Sequence, residues 1–181
     1  MLITLEGTDG TGKSSAAKIL ADSLGFKFAS TPGPEYMPVR KFAAANKYSA
    51  YHYYLSSCYY VSDMAGKYDI VCDRYIHSTL AYNWPFDREI PDDIFGYFEG
   101  LRKPDRSFLL CASDDTRRER MSDRKSKGGI ISALDRDFDG QKKAQEVYMK
   151  LPGLIHVCTD NMTLDDVVKF LLNSCGEMIC K

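Results

Sequence analysis

Residues 7 to 14 read Gly7-Thr8-Asp9-Gly10-Thr11-Gly12-Lys13-Ser14 and meet every fixed position of G-x-x-x-x-G-K-[ST]. The apolar run Leu2-Ile3-Thr4-Leu5 precedes them, and an Ala-rich apolar stretch from Ser15 to Leu24 follows. Strand, glycine loop and helix is the setting in which such a loop cradles phosphates. Gly7, Gly10 and Gly12 let the backbone curl, so that successive N–H groups face phosphate oxygens. The helix that follows adds its positive N-terminal end. Lys13 reaches the β- and γ-phosphates, and the Ser14 hydroxyl is placed for Mg²⁺. A tight turn with a chance Lys-Ser would not account for all the fixed positions and both flanks together. The segment therefore predicts a bound nucleoside triphosphate, with Asp9, Thr11 and Ser15 in the same loop.

A second group of residues belongs beside those phosphates. Tyr68-Asp69-Ile70-Val71-Cys72-Asp73 reads as an apolar strand ending in an acid, and Arg74 follows. An acid there can hold Mg²⁺ opposite Ser14, and a guanidinium can grip a phosphoryl group through two parallel hydrogen bonds. The plainer reading is an Asp that caps the next helix and an Arg that pairs with it. Residues 117 to 127, Arg-Arg-Glu-Arg-Met-Ser-Asp-Arg-Lys-Ser-Lys, carry six bases against two acids, and Gly128-Gly129 follow. They predict a basic lid over 117–133, with Arg120 and Arg124 as its contacts to the triphosphate; the plainer alternative is a solvated helix face.

Short apolar runs alternate with helical patterns, the mark of a parallel sheet with helices on both faces. Strands are expected near 2–6, 26–29, 69–73, 107–111 and 154–158. Helices are expected near 13–24, 36–45, 48–66, 76–83, 91–100, 114–124, 135–150 and 163–174. Gly25 is placed to end the first helix, and Thr163 to cap the last. In such a sheet ligands bind beyond the carboxyl ends of the strands, which is where the loop, Asp73 and Arg74 fall.

The 181 residues predict one α/β domain over 1–181. A net charge of −1 gives no general pull toward nucleic acid or an anionic membrane. No apolar run approaches the length of a membrane span, and the N-terminus enters strand residues directly, which points to the cytoplasm. Six cysteines show no C-x-x-C pair and no cluster with histidine, so reduced thiols are expected. The six tyrosines between Tyr48 and Tyr60 are expected mainly in packing or dimer contacts, with one or two lining a pocket for a flat ring. His52, His77 and His156 are dispersed and are given no catalytic role. A GTPase would need N-K-x-D, and Asn46-Lys47-Tyr48-Ser49 lacks the acid.

The chain resembles the thymidylate kinase family of nucleoside monophosphate kinases. The likeness is carried by Leu5-Glu6 with the glycine loop, Asp73-Arg74-Tyr75, Ser78-Thr79-Leu80-Ala81-Tyr82-Asn83, Lys103-Pro104-Asp105, Leu134-Asp135-Arg136 and Tyr148-Met149-Lys150-Leu151. It implies a P-loop nucleoside-kinase fold of three layers, ATP and Mg²⁺ as cofactors, a small nucleotide acceptor, and a homodimer. It places Asp9 on the acceptor sugar, Asp73 on the metal, Arg74 on the transferring phosphoryl group, and Ser78 and Tyr82 beside the acceptor. Three departures fall on the acceptor side. Ser30-Thr31-Pro32-Gly33 lacks the arginine that holds the acceptor phosphate in the family, and the nearest is Arg40. Tyr59 stands at the base-reading arginine's position, and Asn83 replaces a glutamine. The expected reaction is transfer from Mg·ATP to a nucleoside monophosphate, foremost dTMP. The alternatives are another small hydroxyl-bearing or modified-nucleotide acceptor, with Glu35 or Asp73 as base, and a nucleotide-binding protein without transfer.

Overall fold

The computed structural model describes residues 1–43, 45–126 and 137–179. Five parallel strands form one sheet in the order β2-β3-β1-β4-β5. They are β1 (Leu2–Glu6), β2 (Lys27–Ser30), β3 (Ile70–Asp73), β4 (Arg106–Cys111) and β5 (Ile155–Cys158). The longer helices are α1 (Lys13–Leu24), α3 (Lys47–Ala65), α4 (Ile76–Asn83), α6 (Asp114–Ser126), α7 (Phe138–Tyr148) and α8 (Leu164–Ile179), with single turns α2 (Arg40–Ala43) and α5 (Ile94–Tyr97) between them.

The strand period of two splits the core. Ile3, Leu5, Val71, Phe108 and Leu110 pack with Ala17 and Leu20 of α1 and Val168 and Leu171 of α8. Leu2, Cys72 and Leu109 pack on the other side with Val61 of α3, Leu80 of α4 and Tyr148 of α7. Each fully buried Leu, Val or Phe contributes about 1.5–3 kcal/mol. The same alternation sends Thr4 and Glu6, both fully buried, toward the α3/α4/α7 side.

Helix ends follow local chemistry. Gly25, at φ 68°, donates its N–H to Ala21 and Asp22 and closes α1. At the start of α8, Thr163 Oγ1 accepts from the Asp166 N–H while the Asp166 carboxylate accepts from the Thr163 N–H, a reciprocal cap.

Two expected helices are shorter. The 36–45 helix becomes a 3₁₀ segment, Pro34–Val39, followed by α2, because Pro38 has no N–H to donate inside it. The 91–100 helix reduces to α5, whose first turn Asp93 caps at Gly96; Phe98 then leaves helical geometry and turns into the core with Leu101. The described part of the expected lid, 117–126, is helical, in keeping with the helix expected at 114–124. These residues continue α6, whose first turn holds Asp114 and Asp115 and whose last turn holds Arg124 and Lys125, each matching the helix dipole. The rest of the expected lid, 127–133, and Leu134-Asp135-Arg136 lie outside the described residues.

Candidate active site

Gly7 follows β1 with φ 132°, and a Cβ there would collide with the Leu110 carbonyl oxygen of the neighbouring strand. Gly10, at φ 86°, lies against the backbone of Arg117. Glycine at these two positions lets the loop turn while lying flush on β4 and α6. The loop delivers the chain into α1, whose N-cap Gly12 offers no side-chain acceptor and whose first turn holds no acid. Its N–H groups and positive end therefore face an anion without local competition.

Two clefts meet at this loop. One, of about 510 Å³, runs along Gly10, Thr11, Gly12, Lys13, Ser14 and Ser15 and on past Arg120 and Arg124 to Met162 and Leu164. The other, of about 180 Å³, is bounded by Thr31, Pro32, Arg40, Tyr54, Arg74, Ser78, Thr79, Tyr82 and Asn83. Asp9 lines both.

Asp9 is held on every side. Its Oδ1 lies 2.6 Å from Arg74 Nη2 and 3.6 Å from Lys13 Nζ. Its N–H donates to Gln141 Oε1 at 3.2 Å, and its carbonyl accepts from Arg117 Nε at 2.8 Å. Burial pushes the Asp9 carboxyl up, but Lys13 and Arg74 outweigh that and leave it below its ordinary range. Lys13 is buried and donates to the Thr8 carbonyl at 2.7 Å. Desolvation first, and the Arg74 charge second, pull its ammonium down to about 8.

Arg74 adopts φ 70°, a left-handed backbone that costs a non-glycine residue about 1–3 kcal/mol. The turn aims its side chain back at the loop, where Nη1 donates to the Gly7 carbonyl at 2.9 Å. The ring of Tyr82 lies 5.3 Å from its guanidinium carbon.

Asp73 ends β3 opposite Leu5 of β1. Its Oδ1 is buried without a hydrogen-bond partner, while the Ser14 hydroxyl is exposed in the larger cleft. An orphaned carboxylate oxygen and a hydroxyl beside a phosphate cradle fit a hard divalent cation that takes its remaining ligands from phosphate and water.

The structure brings Asp9, Arg40, Arg74, Ser78, Tyr82 and Asn83 to the smaller cleft. It does not bring Tyr59 there. Tyr59 donates its hydroxyl to the Glu99 carbonyl at 3.0 Å, and Tyr54 lines the cleft instead. Five residues on a helix amount to a rotation of about 140°, so the two tyrosines cannot serve one pocket. Gly7 contacts the site through its carbonyl and is not among the lining residues. Arg120 lines the larger cleft with its guanidinium tied to Thr159, at 3.0 Å to Oγ1 and 2.6 Å to the carbonyl. Glu35, on the 3₁₀ segment, lies outside both linings.

Sequence reasoning missed Arg117, Gln141, Tyr54 and the buried environment of Glu6. Arg117 is 3% exposed and bonds Asp9, Asp114 and Gln141. The readable sign for Glu6 was an acid at an inward-facing strand position; the basic run hid Arg117.

Residues 35–169 match the family model for thymidylate kinase. A relative described as a probable thymidylate kinase from Thermococcus kodakarensis is 30% identical over 179 residues, covering 83% of each chain. Another so described, from Methanococcus maripaludis, is 28% identical over 199 residues, covering 98% of this chain and 96% of its own. The solved structure of thymidylate kinase from Candida albicans superposes with a TM-score of 0.73 at 21% identity, covering 97% of this chain and 91% of that one, a likeness of fold. With the family model matching most of its length, the chain belongs to the thymidylate kinase family and is a nucleotide kinase.

Proposed function

We propose that this protein transfers the γ-phosphoryl group of ATP to dTMP, giving ADP and dTDP. The observation that carries the reading is the meeting of the two clefts at Asp9, with Lys13 on the donor side and Arg74 on the acceptor side of one carboxylate oxygen. A phosphoryl group passing between ligands in the two clefts would cross between two fixed cations.

ATP would place its phosphates on the backbone N–H groups of 10–15 and the N-terminus of α1. Lys13 and Arg74 would then face the phosphoryl group as charge spreads over its oxygens. An acceptor phosphate oxygen is already a nucleophile, so positioning and charge neutralisation supply the acceleration. Ser14 and Asp73 would hold Mg²⁺, which when bound neutralises phosphate charge. Asp9 would orient the acceptor sugar, with Arg40 as the further cation of the acceptor cleft. Arg120 and Arg124 would flank the donor.

The reading extends to a homodimer in the cytoplasm. Met37, Val39, Phe42 and Tyr48 are exposed apolar side chains that a second copy would cover. The described cysteines are all free, and among the described residues no helix is long and apolar enough to cross a membrane.

A coupled assay of ADP release across the common nucleoside monophosphates and nucleosides tests the proposal. Selective turnover of dTMP supports it. Turnover confined to another hydroxyl-bearing acceptor would favour the second reading, which the missing arginine at Ser30-Thr31-Pro32-Gly33 motivates.

A further inference from the structure

Glu6 is a fully buried carboxylate that the phosphate chemistry above leaves unused. It ends β1 on the inward side, and its Oε2 accepts both the Ser78 N–H, at 3.1 Å, and the Ser78 hydroxyl. Ser78 Oγ lies 2.6 Å from the Tyr148 hydroxyl. Arg74 Nη1 lies 3.5 Å from that same Tyr148 oxygen and 3.4 Å from Ser78 Oγ. Four residues from β1, α4, α7 and the β3 turn thus form one line of hydrogen bonds.

The two ends fix its direction. A carboxylate only accepts and a guanidinium only donates. The single Ser78 proton goes to Glu6, so Tyr148 donates to Ser78 and turns its own lone pairs toward Arg74. Both hydroxyl protons are thereby assigned. Tyr148 and Glu6 are both fully buried, so neither exchanges its partner for bulk water. The Ser78 hydroxyl, expected beside the acceptor, is already committed within the line.

We propose that Glu6 and Tyr148 are positioning residues for Arg74, Tyr148 by direct contact with its guanidinium and Glu6 through the Ser78 hydroxyl, at the junction of the two clefts. The inference rests on the phosphoryl-transfer reading for what Arg74 does once held. Its remaining contacts agree with an anchored group. Nη1 also binds the Gly7 carbonyl, Nη2 binds Asp9, and the Arg74 N–H donates to the Leu5 carbonyl at 2.9 Å.

The test is Tyr148→Phe, which removes one hydroxyl and keeps the ring. The kcat for dTMP should fall about 10- to 100-fold, as for a misplaced reacting group, while the KM for ATP stays within about twofold. Placed in an Arg74→Lys background, the same substitution should add less than about a twofold loss, because its route to the chemistry has gone. The second readout needs no turnover. In ¹⁵N-labelled protein the Arg74 Nε–Hε resonance should be sharp in the wild type and broadened or shifted in Tyr148→Phe. If Tyr148→Phe fails to fold, Ser78→Ala, which removes the hydroxyl in the middle of the line, carries the same expectations for the Arg74 resonance. An additive loss in the Arg74→Lys background, or an unchanged Arg74 resonance, overturns the proposal. A wild-type protein that leaves dTMP untouched would sink the proposed activity alone, and the resonance would still decide whether Arg74 is held.

Discussion

Arg74 Nη2 and Asp9 Oδ1 lie 2.6 Å apart, joining the residue after β3 to the loop after β1. Lys13 shares that oxygen at 3.6 Å, so one carboxylate balances two cations in a largely buried place. Each cation alone would be costly to desolvate, and the shared acid offsets that cost. Asp9→Ala would leave Lys13 and Arg74 facing each other without it. Turnover should fall at least about 100-fold. The Lys13 ammonium should titrate lower still, since the Asp9 charge raises it. Steady-state kinetics with a pH titration of ATP binding would check both, and a near-wild-type rate would refute the role.

Lys13 itself gives a pH prediction. Desolvation, then the Arg74 charge, hold it at about 8 against an ordinary 10.5. Between those values the folded protein carries fewer protons at Lys13 than the unfolded chain. The cost of burying the ammonium is therefore fully present below pH 8 and is relieved as pH rises toward 10.5. ATP favours the charged form, so binding just above pH 8 should take up a proton at this site. Calorimetry of ATP binding in buffers of differing ionisation enthalpy measures that uptake. Lys13→Met should abolish it, and buffer-independent heats in the wild type would contradict the assignment.

The donor half was legible because its parts are contiguous. Gly7 to Ser14 form a local motif whose geometry follows from glycine and a helix start, and Asp73-Arg74 end the neighbouring strand. The acceptor half depends on rotation about α3 and on contacts between distant segments. Tyr54 and Tyr59 differ only in phase, which composition does not reveal. Arg117 and Gln141 meet Asp9 from α6 and α7, more than a hundred residues away in sequence. The sheet was readable from its apolar runs, whereas Pro38 shortened one expected helix and the turn at Phe98 another. In residues 117–126 a charge count does not show which arginine the helix phase buries, and that is Arg117.

Arg117 should matter more for integrity than a basic lid residue would. It is 3% exposed and bonds the Asp9 carbonyl and Gln141. Its partner Asp114 is 59% exposed, so that pair adds little. Arg117→Ala would leave buried acceptors unpaired at a cost of about 3 kcal/mol. It should also raise the acceptor KM by loosening Asp9. Urea denaturation and acceptor saturation curves read the two effects, and a variant as stable as wild type would show that the loop does not depend on this clamp.

Arg40 is, with Arg74, a cation lining the smaller cleft, and it stands where the segment after β2 offers no other arginine. If it meets the acceptor phosphate, Arg40→Ala removes a charge-assisted bond of about 1.5–3 kcal/mol. That corresponds to a rise in acceptor KM of about 10- to 100-fold, with the KM for ATP unchanged. Michaelis constants for both substrates would decide it. An equal change in both would place Arg40 in folding, and no change would place it outside the site.

Asp73 offers the test of metal dependence. Its Oδ1 is buried and unpartnered, an arrangement that costs stability unless a cation completes it. Asp73→Asn keeps the shape and removes the charge. Without the cation, the substitution should leave thermal stability equal or raised, because an amide oxygen is cheaper than a carboxylate oxygen to leave buried without a hydrogen-bond partner. In turnover the sign reverses. The Mg²⁺ concentration for half-maximal rate should rise at least about tenfold, because one of the few protein ligands has lost its charge. A Mg²⁺ titration of activity in both proteins, with melting curves in chelator and in Mg·ATP, separates the effects. Identical Mg²⁺ requirements would mean that Asp73 serves only the turn into Arg74. A higher requirement with an undiminished melt would place the charge in function, held at the end of β3 at a cost to the fold.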